Sequence, residues 1–201
     1  MTRLSGIRIG IASTRQLTRR QGFSLIEVLS VIVIMGLLTA IALPKANIAS
    51  YQANSGAQVV STALSYAQRQ AISRQADTRV AFDLANNRMR IHEDRNNDNV
   101  IDAGERVTFS NLPEGITFGR GTAAARAIGP EVVTFTRAQG ILPVLVFRRD
   151  GTASEDGGVY LSTIAGLSID RTSDVRAVEI SRATGRATWF SYGTGTWKER
   201  Q

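Results

Sequence analysis

Hydrophobic and polar positions divide this chain into three stretches. From Phe23 to Leu43 it reads FSLIEVLSVIVIMGLLTAIAL, 21 residues with a single charge, Glu27. A run apolar on every side predicts a helix about 31 Å long at ~1.5 Å per residue, enough to cross a bilayer core of roughly 30 Å. After Pro44 the chain turns polar but keeps helical spacing to about Ala76. Val60, Leu64, Ala67 and Ala71 fall at i, i+4, i+7 and i+11, and Ile48, Ala53, Ala57 and Ile72 widen that stripe. Pro44 removes a backbone donor and is expected to kink the helix there. The pattern therefore predicts one long bent helix over about 24–76. Its membrane half is 23–43 and its amphipathic half is 44–76.

From Thr78 the period becomes two. Arg79–Leu84, Arg88–His92 and Arg106–Phe109 alternate. Further strand candidates are Ile116–Phe118, Glu131–Thr136, Val144–Phe147, Val159–Ser162, Val175–Ser181 and Ala187–Ser191. Turn signals separate them at Asn86-Asn87, Pro113-Glu114-Gly115, Asp150-Gly151, Asp156-Gly157-Gly158 and Thr184-Gly185. Gly119–Gly129 reads as a mobile loop. The fold class predicted is α+β, with the helix packed on a C-terminal antiparallel head of two small sheets over 77–201.

Composition changes this picture mainly through where the charge lies. The formal net charge is +7, from 24 basic and 17 acidic side chains. Five of the basic residues (Arg3, Arg8, Arg15, Arg19 and Arg20) fall in residues 1–22, which contain no acid. Without that segment, 19 basic residues face 17 acidic ones, so a global argument for nucleic-acid binding is weak. Basic residues ahead of an apolar run favour a cytoplasmic N-terminus and translocation of the chain beyond the run. No cysteine is present, so the head must fold without disulfides or zinc thiolates.

Glu27 is the anomaly within the apolar run. A carboxylate there costs on the order of 2.5–3.5 kcal/mol on insertion scales, so a plain anchor would carry an apolar residue instead. Gly22-Phe23-Ser24-Leu25-Ile26-Glu27 resembles the processing site of type IV prepilins and pseudopilins. The resemblance implies a cleaved basic leader, 1–22, cut by a prepilin peptidase between Gly22 and Phe23, with N-methylation of Phe23. It also implies a filament-assembly role for Glu27, which would meet the new amine of a neighbouring subunit, and for Pro44 as a conformational adjuster. The alternative is a Glu27 that snorkels or stays protonated.

In the head, Leu112-Pro113-Glu114-Gly115-Ile116, Phe147–Ala153, Gly158-Val159-Tyr160-Leu161, Val178-Glu179-Ile180-Ser181 and Gly185-Arg186 follow a recurring order. It resembles the H-type minor pseudopilins of type II secretion systems and the similar FimT-type minor pilins. That resemblance implies a structural subunit at or near a pseudopilus tip, supporting protein export rather than catalysing a reaction. Its implied partners are other pseudopilins or pilins, the prepilin peptidase and an inner-membrane assembly platform. Its implied location is the bacterial inner membrane, single-pass, with the head periplasmic. The alternative is a minor pilin of a type IV pilus, contributing to assembly or DNA uptake.

Other constellations point to weaker chemistry. Asp94, Asn96, Asp98, Asp102 and Glu105 stand at positions 1, 3, 5, 9 and 12 of a calcium-loop spacing, with Asn99 where glycine is usual. Calcium is therefore the one candidate cofactor, and the alternative is an acidic hairpin loop. Arg171, Arg176, Arg182 and Arg186, interleaved with Trp189, Tyr192 and Trp197, form a candidate DNA contact. The FimT-type Gly-Arg-x-Arg element stands incomplete here as Gly185-Arg186-Ala187-Thr188, so DNA is not the favoured partner. Gly119–Ala124 satisfies G-x-G-x-x-A, but Gly129-Pro130 stops any helix behind it. The single histidine, His92, falls on a strand pattern and reads as a surface or edge residue. No nucleophile elbow or Walker loop is present, which disfavours an enzyme.

Overall fold

The computed structural model describes residues 23–42 and 48–200, as two separate units. Gly22 and Pro44 lie outside the described residues, and so does the expected bend.

The first unit is helix α1, Leu25–Ala42, 18 residues apolar on every side. The Glu27 and Val28 N–H groups both donate to Ser24 O, at 2.9 and 3.1 Å, which sets the first turn. The polar side chains inside the helix satisfy themselves locally. Ser30 Oγ donates to Ile26 O and Thr39 Oγ1 to Met35 O, each at 2.7 Å. Among the described residues no helix is long and apolar enough to cross a membrane. Eighteen residues span about 27 Å, short of a roughly 30 Å core, and the apolar run continues in sequence to Leu43.

The second unit begins with α2, Ile48–Arg74. It buries Ala53, Gly56, Ala57, Val60, Ala63, Leu64, Ala67 and Ala71, the expected stripe with small residues throughout. Small side chains let the helix lie close to the sheets: a Cβ on Gly56 would come within 2.8 Å of Ile116 Cγ2. Ile48 and Ile72, expected in the stripe, are exposed, although Ile72 still touches the head beside Gly151. Gln75, with φ at 54°, ends the helix, and Ala76 N donates back to Ala71 O at 3.3 Å.

Ten strands follow among the described residues: β1 (Asp77–Asp83), β2 (Arg88–Asp94), β3 (Val107–Asn111), β4 (Ile116–Phe118), β5 (Ala138–Gln139), β6 (Leu142–Phe147), β7 (Gly157–Thr163), β8 (Arg176–Ile180), β9 (Ala187–Gly193) and β10 (Thr196–Arg200). A short helix, α3 (Ile164–Ser168), and a 3-10 turn, Thr172–Asp174, join β7 to β8. The first sheet runs β3-β2-β1-β6-β5 and the second β10-β9-β8-β7-β4, with every pairing antiparallel. The main core joins both sheets to α2 through Val80, Phe82, Leu145, Phe147, Val159, Leu161 and Val178. Phe82 stacks on Phe135 at 5.4 Å and meets Phe118 edge-on at 6.2 Å. The α+β architecture is as expected from the sequence.

Three local expectations are corrected. Glu131–Thr136 is not a strand: only Val133 bridges, to Val159. There the Thr134 side chain replaces part of a backbone ladder, because its Oγ1 accepts from Gly158 N at 2.8 Å. Gly119–Gly129 is not loose. Arg126 N donates to Tyr160 Oη at 2.8 Å, Tyr160 Oη donates to Gly129 O at 2.9 Å, and Trp197 Nε1 donates to Ala124 O at 3.0 Å. His92 is fully buried rather than at a surface or edge. Residues 94–105 fold back over its face of β2 and place Glu105 against it.

Candidate functional site

Phe23 precedes the first residue of α1 and is 81 % exposed. Glu27 sits in the first turn of α1, also exposed, with no ion-pair partner among the described residues. A carboxylate in the first turn is favoured by the helix dipole, whatever else it meets. The one ionisable side chain of α1 therefore lies at the end where a cut at Gly22 would create an amine.

In the head, the strongest polar construction surrounds Arg176. Its side chain is buried at the start of β8. Nε donates to Asn54 Oδ1 at 2.7 Å, Nη1 to Ser173 O and Val175 O at 2.8 and 2.9 Å, and Nη2 to Ser50 Oγ at 3.0 Å. No carboxylate among the described residues pairs with it. Burial lowers its pKa to about 10, with Asp174 pulling the other way. Arg176 therefore fastens the first turns of α2 to the second sheet and presents nothing to a phosphate, which corrects its assignment as a DNA contact. Arg171 is engaged too, with Nε 3.0 Å from the buried Asp174 Oδ2. Of the four arginines, Arg182 and Arg186 stay exposed without a carboxylate on their guanidinium groups among the described residues, both beside the β8–β9 turn. The four do not form one surface of free cations.

The Asp94–Glu105 loop is held by hydrogen bonds among its own residues and to β1 and β2, while Asp94 Oδ1 and Asn99 Oδ1 are buried without a partner. Asp94 Oδ2 pairs with Arg79 Nε and accepts from Asn99 N at 3.1 Å. Asn96 Nδ2 donates to Asp98 Oδ2 at 3.0 Å and to Asp102 Oδ2 at 2.8 Å. Glu105 lies 2.6 Å from His92 Nε2 and accepts from the N–H groups of Arg95 and Asp102 at 2.8 and 3.1 Å. Gln139 Nε2 donates to His92 Nδ1 at 3.2 Å, which leaves the proton on Nε2 facing Glu105. Burial pushes the Glu105 carboxyl up, but its hydrogen bonds from His92, Asp102 and Arg95 outweigh that and hold it at about 2. Among the described residues no three carboxylates or histidines converge on a point that could hold a metal ion.

The outer face of the second sheet carries a small aromatic cluster that includes Tyr192 and Trp197, and sequence reasoning missed only the part of Arg126, Glu179 and Phe190 in it. Arg126 pairs with Glu179 and lies 3.5 Å over the Phe190 ring, while Tyr192 and Trp197 meet at 5.0 Å. The available signal was the placing of Tyr192 and Trp197 either side of the Thr194-Gly195 turn, which makes them partners across the β9–β10 hairpin. An apolar groove between α2 and β2–β3, lined by Val59, Tyr66 and Ile91 among others, has no carboxylate or histidine in its walls.

Comparison with known families settles the identity. Residues 17–43 match the prokaryotic N-terminal methylation motif, and residues 56–184 match the type II transport protein GspH. The chain belongs to the GspH family of type II transport proteins. GspH membership makes it a minor pseudopilin of type II secretion and does not favour the type IV pilin alternative. Among solved structures, the minor pseudopilin EpsH from the type 2 secretion system of Vibrio cholerae is similar at 16 % identity, with a TM-score of 0.40 over 74 % of this chain and 96 % of that one. No curated protein matches.

Proposed function

We propose that this GspH-family chain is a structural, non-catalytic subunit whose first helix joins it to a pseudopilus at or near the tip. A prepilin peptidase removes residues 1–22 and methylates the new amine on Phe23. The amine then pairs with Glu27 of an adjacent subunit. Two groups each costly in lipid become tolerable together, because opposite charges attract strongly where water is scarce. That pairing sets axial register, the apolar flanks add packing without direction, and Pro44 adjusts the helix where it leaves the bilayer. The N-terminus stays cytoplasmic, α1 lies in the inner membrane and the head is periplasmic. The partners are other pseudopilins, the peptidase and the inner-membrane assembly platform.

The observation that carries this reading is the lone carboxylate in the first turn of α1, four residues after Phe23. Support for a non-catalytic role is that His92, Glu105 and Arg176 are engaged by neighbouring groups and that the apolar groove has no carboxylate or histidine in its walls. Two measurements test it. Intact mass of the membrane-extracted protein should show loss of residues 1–22 and gain of one methyl group. Glu27→Gln should remove the chain from cross-linked filaments while leaving its membrane level unchanged. Normal incorporation of that variant would rule out the charge pair.

A further inference from the structure

One end of the head is built around the start of α2. The β7–β8 connection is locked there: Thr163 Oγ1 accepts from Gly166 N at 2.9 Å and donates to Asp174 Oδ2 at 2.7 Å, and Arg171 N donates to Gly166 O at 2.7 Å. Arg176 then ties this connection, through Ser173 O, to Ser50 and Asn54 of α2. Within α3 only Gly166 is buried. Ile164 and Ile169 stand 53 % and 67 % exposed at this end, and Ile48 and Tyr51 in the first turn of α2 are 65 % and 72 % exposed. A locked connection that displays two isoleucines to water needs a reason, since no described part of the head covers them.

Chain length supplies one. Five residues, 43–47, separate α1 from α2 in the sequence, a tether of at most about 20 Å when fully extended. If α1 lies in the bilayer, the start of α2 is held within that distance of the membrane surface. Tyrosine favours headgroup depth, and exposed aliphatic side chains favour the acyl boundary.

We propose that the α3 end of the head rests on the bilayer, with Ile164 and Ile169 entering the headgroup–acyl boundary beside Tyr51. This rests on the reading that α1 is membrane-embedded. The contact is apolar rather than electrostatic. Arg171 is paired with Asp174, and the Asp170 carboxylate accepts from Thr122 Oγ1 at 2.7 Å, so anionic lipid is not required.

The chain has no cysteine, so a single introduced cysteine can carry an environment-sensitive fluorophore at one known place. The full chain is placed in phosphatidylcholine vesicles with the probe at Ile164→Cys, Ile169→Cys, Val33→Cys or Ala183→Cys. The expected result is a blue shift and loss of intensity with nitroxide-labelled lipid at 164, 169 and 33, but not at 183 in the β8–β9 turn. Water-like emission at 164 and 169 with quenching at 33 overturns this proposal and spares the membrane reading. Water-like emission at 33 as well overturns both. A blue shift at 164 and 169 without lipid quenching means a protein surface covers them, and also overturns it. Amide exchange of residues 164–170 in the unsubstituted chain, expected to slow on vesicles compared with detergent, tests the same contact without a substitution; equal exchange in the two media overturns it.

Discussion

Arg176 Nε donates to Asn54 Oδ1 at 2.7 Å, joining positions 122 residues apart and making one guanidinium a polar fastening between the first turns of α2 and the second sheet. A buried cation hydrogen-bonded only to neutral oxygens, with the Asp174 carboxylate near but unpaired to it, keeps its charge because every acceptor is in place. The energetic risk lies in removing one side of the arrangement.

Arg176→Met should therefore destabilise the head by about 2–4 kcal/mol, since it strands the Asn54, Ser50 and Ser173 acceptors. In a chain starting at Asn47, that corresponds to a fall in Tm of roughly 5–15 °C. Calorimetry gives the number, and amide exchange should show the loosening concentrated at residues 50–54.

Glu105 predicts a pH dependence. Its carboxyl titrates at about 2 in the folded head, against an ordinary 4.5. The unfolded chain takes up the proton first, so this stabilisation is complete above about pH 4.5 and is lost as pH falls towards 2. Urea unfolding of the wild type and Glu105→Gln should differ most near neutral pH, and the difference should shrink across that window. A difference that stays constant down to pH 2 would mean Glu105 does not act through its charge.

Gly158 pairs with Glu179 in β7–β8. A Cβ there would press into the Val178 carbonyl and come within 2.8 Å of Ile128 Cδ1. The backbone it meets cannot yield, so Gly158→Ala should cost about 3 kcal/mol or more. Gly193→Ala, where a Cβ meets nothing within 4 Å, should change little. Thermal melts of the two variants side by side check the contrast.

Arg126→Ala should free residues 119–131 from the second sheet, because its guanidinium serves both Glu179 and the Phe190 ring. A loss of about 1–2 kcal/mol and new proteolytic cuts within 119–131 are expected. Arg126→Lys should restore little, since an ammonium cannot fork to the carboxylate while lying flat on the ring.

These residues also mark how far the sequence could be read. Val60, Leu64, Ala67 and Ala71 were legible because α2 buries a single face against both sheets. Arg79, Arg88, Arg90 and His92 all suggested wet faces by alternation. Arg79 and His92 are nevertheless buried, because residues 94–105 return over them with Asp94 and Glu105. Arg176 looked like a free cation for the same reason: its acceptors come from far along the chain. Strand β7 shows no alternation because both its faces are covered, by the main core on one side and by Tyr160 and its neighbours on the other. Strand β10 was missed because four of its five residues are polar. The processing motif needed no fold at all, since Gly22, Phe23 and Glu27 are contiguous chemistry.

The exposed edge of the second sheet has its own consequence. Strand β10 ends in Lys198-Glu199-Arg200, a row of alternating charge at the margin of the sheet. Natural proteins blunt such margins with charge to discourage ribbon-to-ribbon fusion between copies. Copies of the head that met at this margin would therefore set charged, solvated side chains against each other instead of extending a shared ladder.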